Sequence, residues 1–316
     1  TSQMSTSWAP SNSLIALLGH VRATLSSSAS SGWAHDGSIV AISSSSNTKN
    51  PSAEVTHRPA LMHSSLSSLT SYAIIMPTAV VTGAGRGIGA AIATRLAGDG
   101  FDVVRLDLEA GDDVVACDVS DHEAVRRVAA EVGPVDALVN NAGIWKFGPI
   151  ESADPDDFAR VLAVNLGGTF NCTQAFGATM LDRGGSIVNV VSIAAHSPNP
   201  SVGSYSPSKT AVLAFTRQTA VEWGPRGVRA NAVGPGFVPT PGTGDVYDDE
   251  QVRAIRASVV PLRRLGEPVD VANVVGFLAG PDSAYVTGQV IYVDGGVTES
   301  LMTLIPRPAN IPGPQV

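Results

Sequence analysis

Residues 78–89 read TAVVTGAGRGIG, a short apolar run followed by a glycine at every second position from 83 to 89. The apolar run predicts a buried strand over 79–81, and the apolar period over 88–96 predicts a helix. Glycines between a strand and a helix let the backbone turn tightly and approach a pyrophosphate at the positive end of the helix. The stretch therefore indicates a nucleotide-binding turn, although a tight turn without a ligand would use the same residue types.

Short apolar runs alternate with helical periods along the rest of the chain. Further strands are predicted at 101–107, 114–117, 135–139, 186–191, 228–233 and 289–293. Further helices are predicted at 122–132, 155–181, 205–223 and 269–279. Because such alternation is typical of parallel pairing with helical crossovers, we predict a single-domain α/β fold, a doubly wound parallel sheet of about seven strands with helices on both faces.

The composition changes near residue 75. Residues 1–75 contain serine runs, such as Ser43 to Ser46, and show no sustained apolar period. Such a segment cannot bury enough apolar surface to offset its ordering entropy, so we predict a disordered extension. The favoured interpretation is an extension that is irrelevant to the fold, for example translated upstream sequence, because Met76 directly precedes the first strand; an organelle transit peptide is the alternative. Residues 76–300 are predicted to form the dinucleotide-binding domain and 301–316 a C-terminal tail.

Charge, cysteine content and hydropathy argue against several classes of function. The net charge of −8 disfavours a phosphate-backbone ligand, so no nucleic-acid partner is expected. Two cysteines, Cys117 and Cys172, allow at most one disulfide and cannot build a structural zinc site alone. We therefore predict no metal and a reducing, cytoplasmic compartment. No apolar run reaches the roughly 18 residues needed to cross a bilayer, so no membrane association is expected.

Asp107 ends the second predicted strand. A carboxylate at that strand end can accept hydrogen bonds from a ribose diol, although a lone aspartate there would more often be a solvated strand end. NADP carries a phosphate on this ribose, and like charge on Asp107 would repel it. NAD is therefore predicted over NADP, while Arg86 inside the glycine turn acts in the opposite direction.

The spacing Gly83-x-x-x-Gly87-x-Gly89 and the motifs after it resemble those of the short-chain dehydrogenase/reductases, from about residue 78 to 296. The other resembling segments are Asp118-Val119, Asn140-Asn141-Ala142-Gly143, Gly234-Pro235-Gly236, Tyr285-Val286-Thr287-Gly288 and Asp294-Gly295-Gly296. Each would be common by chance, but their order and spacing would not. The resemblance implies a Rossmann-type fold and a cofactor site comprising Gly83, Arg86, Gly87, Ile88, Gly89, Asp107, Asp118, Val119, Asn141, Ala142, Gly143, Tyr205, Lys209, Pro235, Gly236, Val238 and Thr240.

Asn165, Ser192, Tyr205 and Lys209 fall where that family keeps its catalytic tetrad. Tyr205 and Lys209 are four residues apart and so project from one helix face. An ammonium about 4 Å away, at an effective dielectric of about 20, supplies the roughly 4 kcal/mol that lowers a tyrosine pKa by about three units. The Ser192 hydroxyl can donate to a substrate carbonyl. The resemblance implies that Asn165 holds a water molecule that links Lys209 to solvent.

Two departures from the family pattern carry structural expectations. Only residues 108–117 separate Asp107 from Asp118, so the crossover there should be a bare loop that leaves the adenine side more open. Pro207 must lie in the first turn of its helix, where a missing N–H costs little. An apolar pocket could draw on Trp145, Phe147, Phe237, Val246 and Tyr247, and His196 is a further candidate for the substrate site, although each has an ordinary structural explanation.

These observations predict an NAD-dependent oxidoreductase that interconverts a small secondary alcohol and a ketone by hydride transfer. Reduction of a 3-oxoacyl thioester is the alternative, ranked lower because such look-alikes usually favour NADPH. A non-catalytic nucleotide-binding protein is a third interpretation, which the loss of one or more tetrad residues would indicate. The family resemblance also implies a homotetramer.

Overall fold

One parallel sheet of seven strands positions the site in the computed structural model, which describes residues 76–243 and 247–300. The strands are β1 (Thr78–Thr82), β2 (Asp102–Asp107), β3 (Val114–Ala116), β4 (Ala137–Asn140), β5 (Gly185–Val190), β6 (Val228–Pro235) and β7 (Val290–Val293). Their order is β3-β2-β1-β4-β5-β6-β7, and every neighbouring pair is parallel. The direction of winding reverses between β1 and β4, which leaves a crevice at the carboxyl ends of these strands.

Helices cover both faces of this sheet. They are α1 (Gly87–Gly98), α2 (His122–Val132), α3 (Pro155–Leu162), α4 (Gly168–Ala175), α5 (Tyr205–Trp223), α6 (Glu250–Val259) and α7 (Pro268–Ala279). A π-helical turn, Ala163–Gly167, joins α3 to α4, so the long helical stretch predicted over 155–181 is present, with a π-helical turn inside it and a 3₁₀ turn, Gly177–Met180, near its end. Of the helices in the described part of the chain, none combines the length and apolar character of a membrane span.

Strand β1 shows how the two layers form. Val81 packs in a cluster with Ile92 and Leu96 of α1, whereas Val80 packs in a second cluster with Val125 of α2. All five side chains are fully buried, and burial of each such side chain contributes roughly 1.5–3 kcal/mol. Because alternate residues of one strand face different layers, the strand is apolar on both sides, and the predicted doubly wound fold is confirmed.

One helix was not predicted, and one predicted loop was found. Helix α6 was not expected; Asp249 caps it by accepting hydrogen bonds from the N–H groups of Gln251 and Val252 at 2.8 and 3.3 Å. The crossover between β2 and β3 contains no helix, as expected, and Leu108 and Glu109 of this loop line the cleft described below. The predictions for residues 1–75, 301–316 and Val246 fall outside the described residues.

Candidate active site

The glycine turn lies at the carboxyl end of β1. Gly83 and Gly87 have φ values of +63° and +59°, a left-handed conformation that residues with a Cβ rarely adopt. No side-chain hydrogen bond caps the N-terminus of α1, where Arg86 is the capping residue. Unpaired N–H groups at a helix N-terminus favour an anion, so this turn fits a dinucleotide pyrophosphate.

Asn141 fixes the glycine turn against the end of β4. Its side-chain amide donates to the carbonyl oxygens of Thr82 and Gly83 at 2.9 and 3.0 Å. In return, the Thr82 hydroxyl accepts from the backbone N–H groups of Asn141 and Ala142, both at 3.0 Å. Thr82 was not predicted as a site residue, although a polar residue that ends a buried strand just before the glycines was the available signal.

Asp107 points its carboxylate at the same turn. Its two oxygens accept from the backbone N–H groups of Gly85 and Leu108, each at 2.8 Å. A Cβ added to Gly85 would lie 2.8 Å from Oδ2, so the glycine is required for this approach. Arg105 also braces the turn, because its guanidinium donates to the carbonyl of Ala84 and forms an ion pair with Asp113 at 2.7 Å.

A cleft of about 690 Å³ joins these features, a volume in the range of ligand sites. Every predicted cofactor-binding residue lines it: Gly83, Arg86, Gly87, Ile88, Gly89, Asp107, Asp118, Val119, Asn141, Ala142, Gly143, Tyr205, Lys209, Pro235, Gly236, Val238 and Thr240. Ser192 lines it as well. Asn165 lies behind the wall, fully buried.

Tyr205 and Ser192 meet at the carboxyl end of β5. Ser192 follows this strand and begins a short 3₁₀ turn, and Tyr205 is the first residue of α5. Burial raises the pKa of Tyr205 above its usual value, while a hydrogen bond with Ser192 acts in the opposite direction. Lys209 was expected to lower the pKa of Tyr205, but among the described protein groups burial outweighs any such effect and the pKa is raised.

Lys209 lies buried on the same helix as Tyr205. Its ammonium donates to the carbonyl of Val190 at 2.8 Å and lies 5.9 Å from the centre of the Tyr205 ring. Desolvation lowers the pKa of Lys209 itself to about 8. The charge on Lys209 is therefore itself sensitive to pH in the neutral-to-alkaline range.

Asn165 occupies the π-helical turn and connects two walls of the site. Its side-chain amide exchanges two hydrogen bonds with the backbone of Ile144, at 2.8 and 2.9 Å. The same amide donates to the Ser208 hydroxyl at 2.9 Å, and that hydroxyl donates to the carbonyl of Tyr205 at 2.7 Å. Ser208 was not predicted, because its sequence position next to Lys209 gives no sign that it is fully buried.

Asp118 lines the cleft just after β3, and its charge is partly neutralised by its partners. One carboxylate oxygen accepts from the N–H and the hydroxyl of Ser120, and the other pairs with Arg160 at 3.2 Å. Burial acts to raise the pKa of Asp118, but these hydrogen bonds and the arginine outweigh it and hold the pKa below its usual value. The pairing of Arg160 with Asp118 was not predicted, because the two residues lie far apart in the sequence and belong to different elements.

The residues predicted for a substrate pocket differ in whether they line the cleft. Trp145 and Tyr247 line the cleft, whereas Phe147 is exposed and Phe237 packs on Arg256 outside the lining. His196 is exposed, bonds to Ser197 and contacts the edge of Tyr292, so it does not line the cleft.

Both cysteines are free and buried. Burial raises the pKa of Cys117 to about 11 and raises the pKa of Cys172 as well. Thiols of this kind are poor nucleophiles at neutral pH. Among the described residues, no group of three or more histidine, cysteine or acidic side chains could hold a metal ion.

Comparison with known proteins agrees with this geometry. A family model described as enoyl-(acyl carrier protein) reductase matches residues 83–298. Galactitol 2-dehydrogenase (L-tagatose-forming) from Cereibacter sphaeroides is 40% identical over 239 residues, which cover 70% of this chain and 94% of that protein. The 3-oxoacyl-(acyl-carrier-protein) reductase of Staphylococcus epidermidis is 35% identical over 248 residues, covering 70% and 98%.

A solved structure has the same architecture. It is described as a gluconate 5-dehydrogenase from Burkholderia cenocepacia J2315 in complex with NADP and tartrate. The TM-score is 0.68 at 32% identity, covering 71% of this chain and 95% of that one.

Fold and cleft together define an oxidoreductase of CH–OH groups that uses a nicotinamide dinucleotide. The chain belongs to the short-chain dehydrogenase/reductase family, because the family match spans more than half of it and its relatives are matched over nearly their whole length.

Proposed function

We propose that the protein is an NAD-dependent oxidoreductase that interconverts a secondary alcohol and a ketone. One observation carries the proposal: Tyr205 and Ser192 line the same cleft as the glycine turn and Lys209. An acid, a carbonyl-orienting hydroxyl and a cation thus surround one end of a dinucleotide-sized space. Each of the three is a group that carbonyl reduction requires.

The proposed division of labour follows from the side chains. When bound, the nicotinamide supplies the hydride for ketone reduction or accepts it in alcohol oxidation. Tyr205 donates its phenolic proton to the carbonyl oxygen in reduction and accepts it back in oxidation. Its raised pKa keeps the phenol protonated at neutral pH, as a proton donor must be. Ser192 donates a hydrogen bond to the same carbonyl oxygen and holds it beside Tyr205.

Lys209 has two proposed roles. Its ammonium binds the cofactor ribose and stabilises negative charge on Tyr205 when the phenol has lost its proton. Val190 orients this ammonium through its carbonyl, and Asn165 and Ser208 orient the start of α5 through their shared hydrogen bond. We propose that Asn165 holds, through its place at the π-helical turn, the water that links Lys209 to solvent.

The preference for NAD rests on charge at the adenosine ribose. Asp107 and Glu109 both line that part of the cleft, and Arg105 is already paired with Asp113. Arg86 remains as the cation that could offset them. The solved gluconate 5-dehydrogenase holds NADP, so cofactor preference has to be measured on this chain.

Reduction of a 3-oxoacyl thioester is the second candidate. Its support is the 35% identity to the 3-oxoacyl-(acyl-carrier-protein) reductase of Staphylococcus epidermidis over nearly the whole of that protein. An acetoacetyl thioester assayed beside simple ketones separates the two. A kcat/KM that is higher for the thioester than for every ketone would favour the second candidate.

The assembly and compartment are also proposals. Phe170 and Phe215 contact each other edge to face at 6.1 Å, yet Phe170 of α4 and Val221 of α5 stay largely exposed. Apolar side chains left on these helices support a homotetramer, which light scattering at micromolar concentration tests: a monomer would contradict it. Two free thiols support a reducing, cytoplasmic compartment.

The direct test follows NADH absorbance with purified protein across a panel of ketones and alcohols. The proposal predicts turnover of several ketones with NADH. Binding of NADH without turnover of any ketone, alcohol or thioester would overturn it in favour of a non-catalytic nucleotide-binding protein.

A further inference from the structure

The substrate end of the cleft differs in character from the cofactor end. Beyond Ser192 and Tyr205 the wall is formed by Ile144, Trp145, Gly242 and Tyr247. We propose that this end accepts a neutral alcohol or ketone whose carbonyl carbon carries an apolar or ring substituent, and that it discriminates against a carboxylate or phosphate on the substrate. The inference rests on the proposed function and narrows its substrate class.

The charges that line the cleft support a neutral substrate. Among the described residues, the basic side chains of the lining are Arg86, Arg160 and Lys209. Arg86 belongs to the glycine turn, Arg160 is bound to Asp118 and Ser120, and Lys209 is bound to the Val190 carbonyl. All three therefore belong to the cofactor half of the cleft or to its floor.

Neighbouring cations face elsewhere. Lys146, next to Trp145, is exposed and lies 3.6 Å from Asp157, outside the lining. A substrate anion would therefore lose hydration without gaining a paired charge, which is costly in a partly enclosed site.

Trp145 is held rigidly beside the reacting groups. The residue before it, Ile144, has both backbone polar groups bonded to the Asn165 amide. On its other side the indole packs on Gly242, where an added Cβ would lie 3.3 Å from Cη2. The side chain is only half-buried, so the indole retains surface for an apolar or ring-shaped ligand group.

Tyr247 is held from outside the cleft. The Arg256 guanidinium of α6 lies 4.8 Å from the centre of its ring and 5.4 Å from the centre of the Phe237 ring. Arg256 does not line the cleft, so its charge stabilises the aromatic wall rather than a substrate anion. The two aromatic walls are thus fixed by different parts of the fold and, as far as the described residues 76–243 and 247–300 are concerned, leave a ligand surface that no unpaired basic side chain lines.

The test uses ketones in matched pairs that differ only in charge, such as 4-oxocyclohexanecarboxamide and 4-oxocyclohexanecarboxylate, with NADH. We expect kcat/KM for the amide to exceed that for the carboxylate by about tenfold or more, equivalent to about 1.4 kcal/mol. An equal or higher value for the carboxylate would overturn the inference and leave the proposed oxidoreductase intact. If neither the amide nor the carboxylate is reduced, and every other ketone is also inert, the proposed function and the inference are both overturned.

Variants of Trp145 test whether this side chain determines the preference for a neutral substrate. Trp145→Ala is expected to lower kcat/KM for the amide by about tenfold while leaving the Kd for NADH unchanged, because we assign the indole to the substrate rather than to the cofactor. Phe147→Ala, two residues away and outside the lining, is the matched control and should change neither. Trp145→Lys adds the missing cation and should raise the carboxylate-to-amide ratio of kcat/KM. An unchanged ratio in Trp145→Lys with normal NADH binding would contradict the charge argument.

Discussion

Replacement of Asp107 by serine tests the cofactor assignment where the structure is most specific. The substitution removes the carboxylate that accepts from the N–H groups of Gly85 and Leu108. It thereby removes a negative charge from the adenosine ribose site and frees two backbone donors for an anion. Both changes favour the phosphate of NADP.

The magnitude follows from Coulomb's law. A phosphate with about two negative charges, about 5 Å from the carboxylate, is repelled by roughly 7 kcal/mol at an effective dielectric of 20 and by roughly 2 kcal/mol in water. Asp107 is partly exposed and Arg86 offsets some of the repulsion, so the lower value is the relevant one. About 1.4–3 kcal/mol corresponds to a tenfold to hundredfold preference for NAD.

The assay is steady-state kinetics with both reduced cofactors at a fixed ketone concentration. Wild type should show a kcat/KM ratio of about ten to a hundred in favour of NADH, and Asp107→Ser should reduce it to near unity or reverse it. Asp112→Ser is the matched control, because it makes the same charge change in the same loop outside the cleft lining. Equal or better use of NADPH by wild type, or an unchanged ratio in Asp107→Ser, would refute the reasoning.

Three further predictions concern the catalytic helix and the domain. Burial lowers the Lys209 pKa to about 8, so the ammonium loses its charge as pH rises through that value. The Kd for NADH should therefore increase near pH 8 in wild type, and this increase should be absent in Lys209→Met. In the unfolded chain the lysine keeps its proton up to about pH 10.5. Between about pH 8 and 10.5 the free energy of unfolding of wild type should therefore rise relative to that of Lys209→Met. A difference between the two proteins that does not change with pH in this range would contradict the prediction. Ser208→Ala should lower kcat by about fivefold, corresponding to about 1 kcal/mol, with the KM for NADH unchanged. Ser206→Ala should have little effect, since that buried hydroxyl has no partner among the described residues, and equal losses in both variants would exclude a positioning role for Ser208. A chain that begins at Met76 should keep full activity and Tm, and a loss of several degrees would show that residues 1–75 stabilise the domain.

Much of the fold was predictable because its signals are local. Parallel strands buried on both faces are continuous apolar runs, so β1 to β7 were placed within two residues at most ends. Helix α2 begins and ends as predicted, helped by the Asp121 cap that accepts from the N–H groups of Glu123 and Ala124. The residues that the family resemblance assigned to the cofactor line one cleft, because most of them lie at strand ends that parallel pairing brings to one edge.

The features that were missed depend on contacts between distant segments. The π-helical turn at Ala163–Gly167 places Asn165 against Ile144 and Ser208, and no local pattern encodes those partners. Desolvation sets the pKa directions of Tyr205 and Lys209, and sequence spacing gives neither their burial nor their actual separation. Helix α6 has no fully buried residue, so its apolar period was too weak to predict it.

Proton transfer by Tyr205 is the central claim, and the turnover of Tyr205→Phe tests it most directly. NADH oxidation with a reactive ketone would be followed for both proteins, with the Kd for NADH measured by fluorescence titration as the check on folding and cofactor binding. The account predicts a fall in kcat of about 10²–10⁴-fold with the Kd for NADH changed by less than about threefold, because only the acid–base group is lost. A variant that binds NADH normally and retains more than about a tenth of the wild-type rate would contradict it.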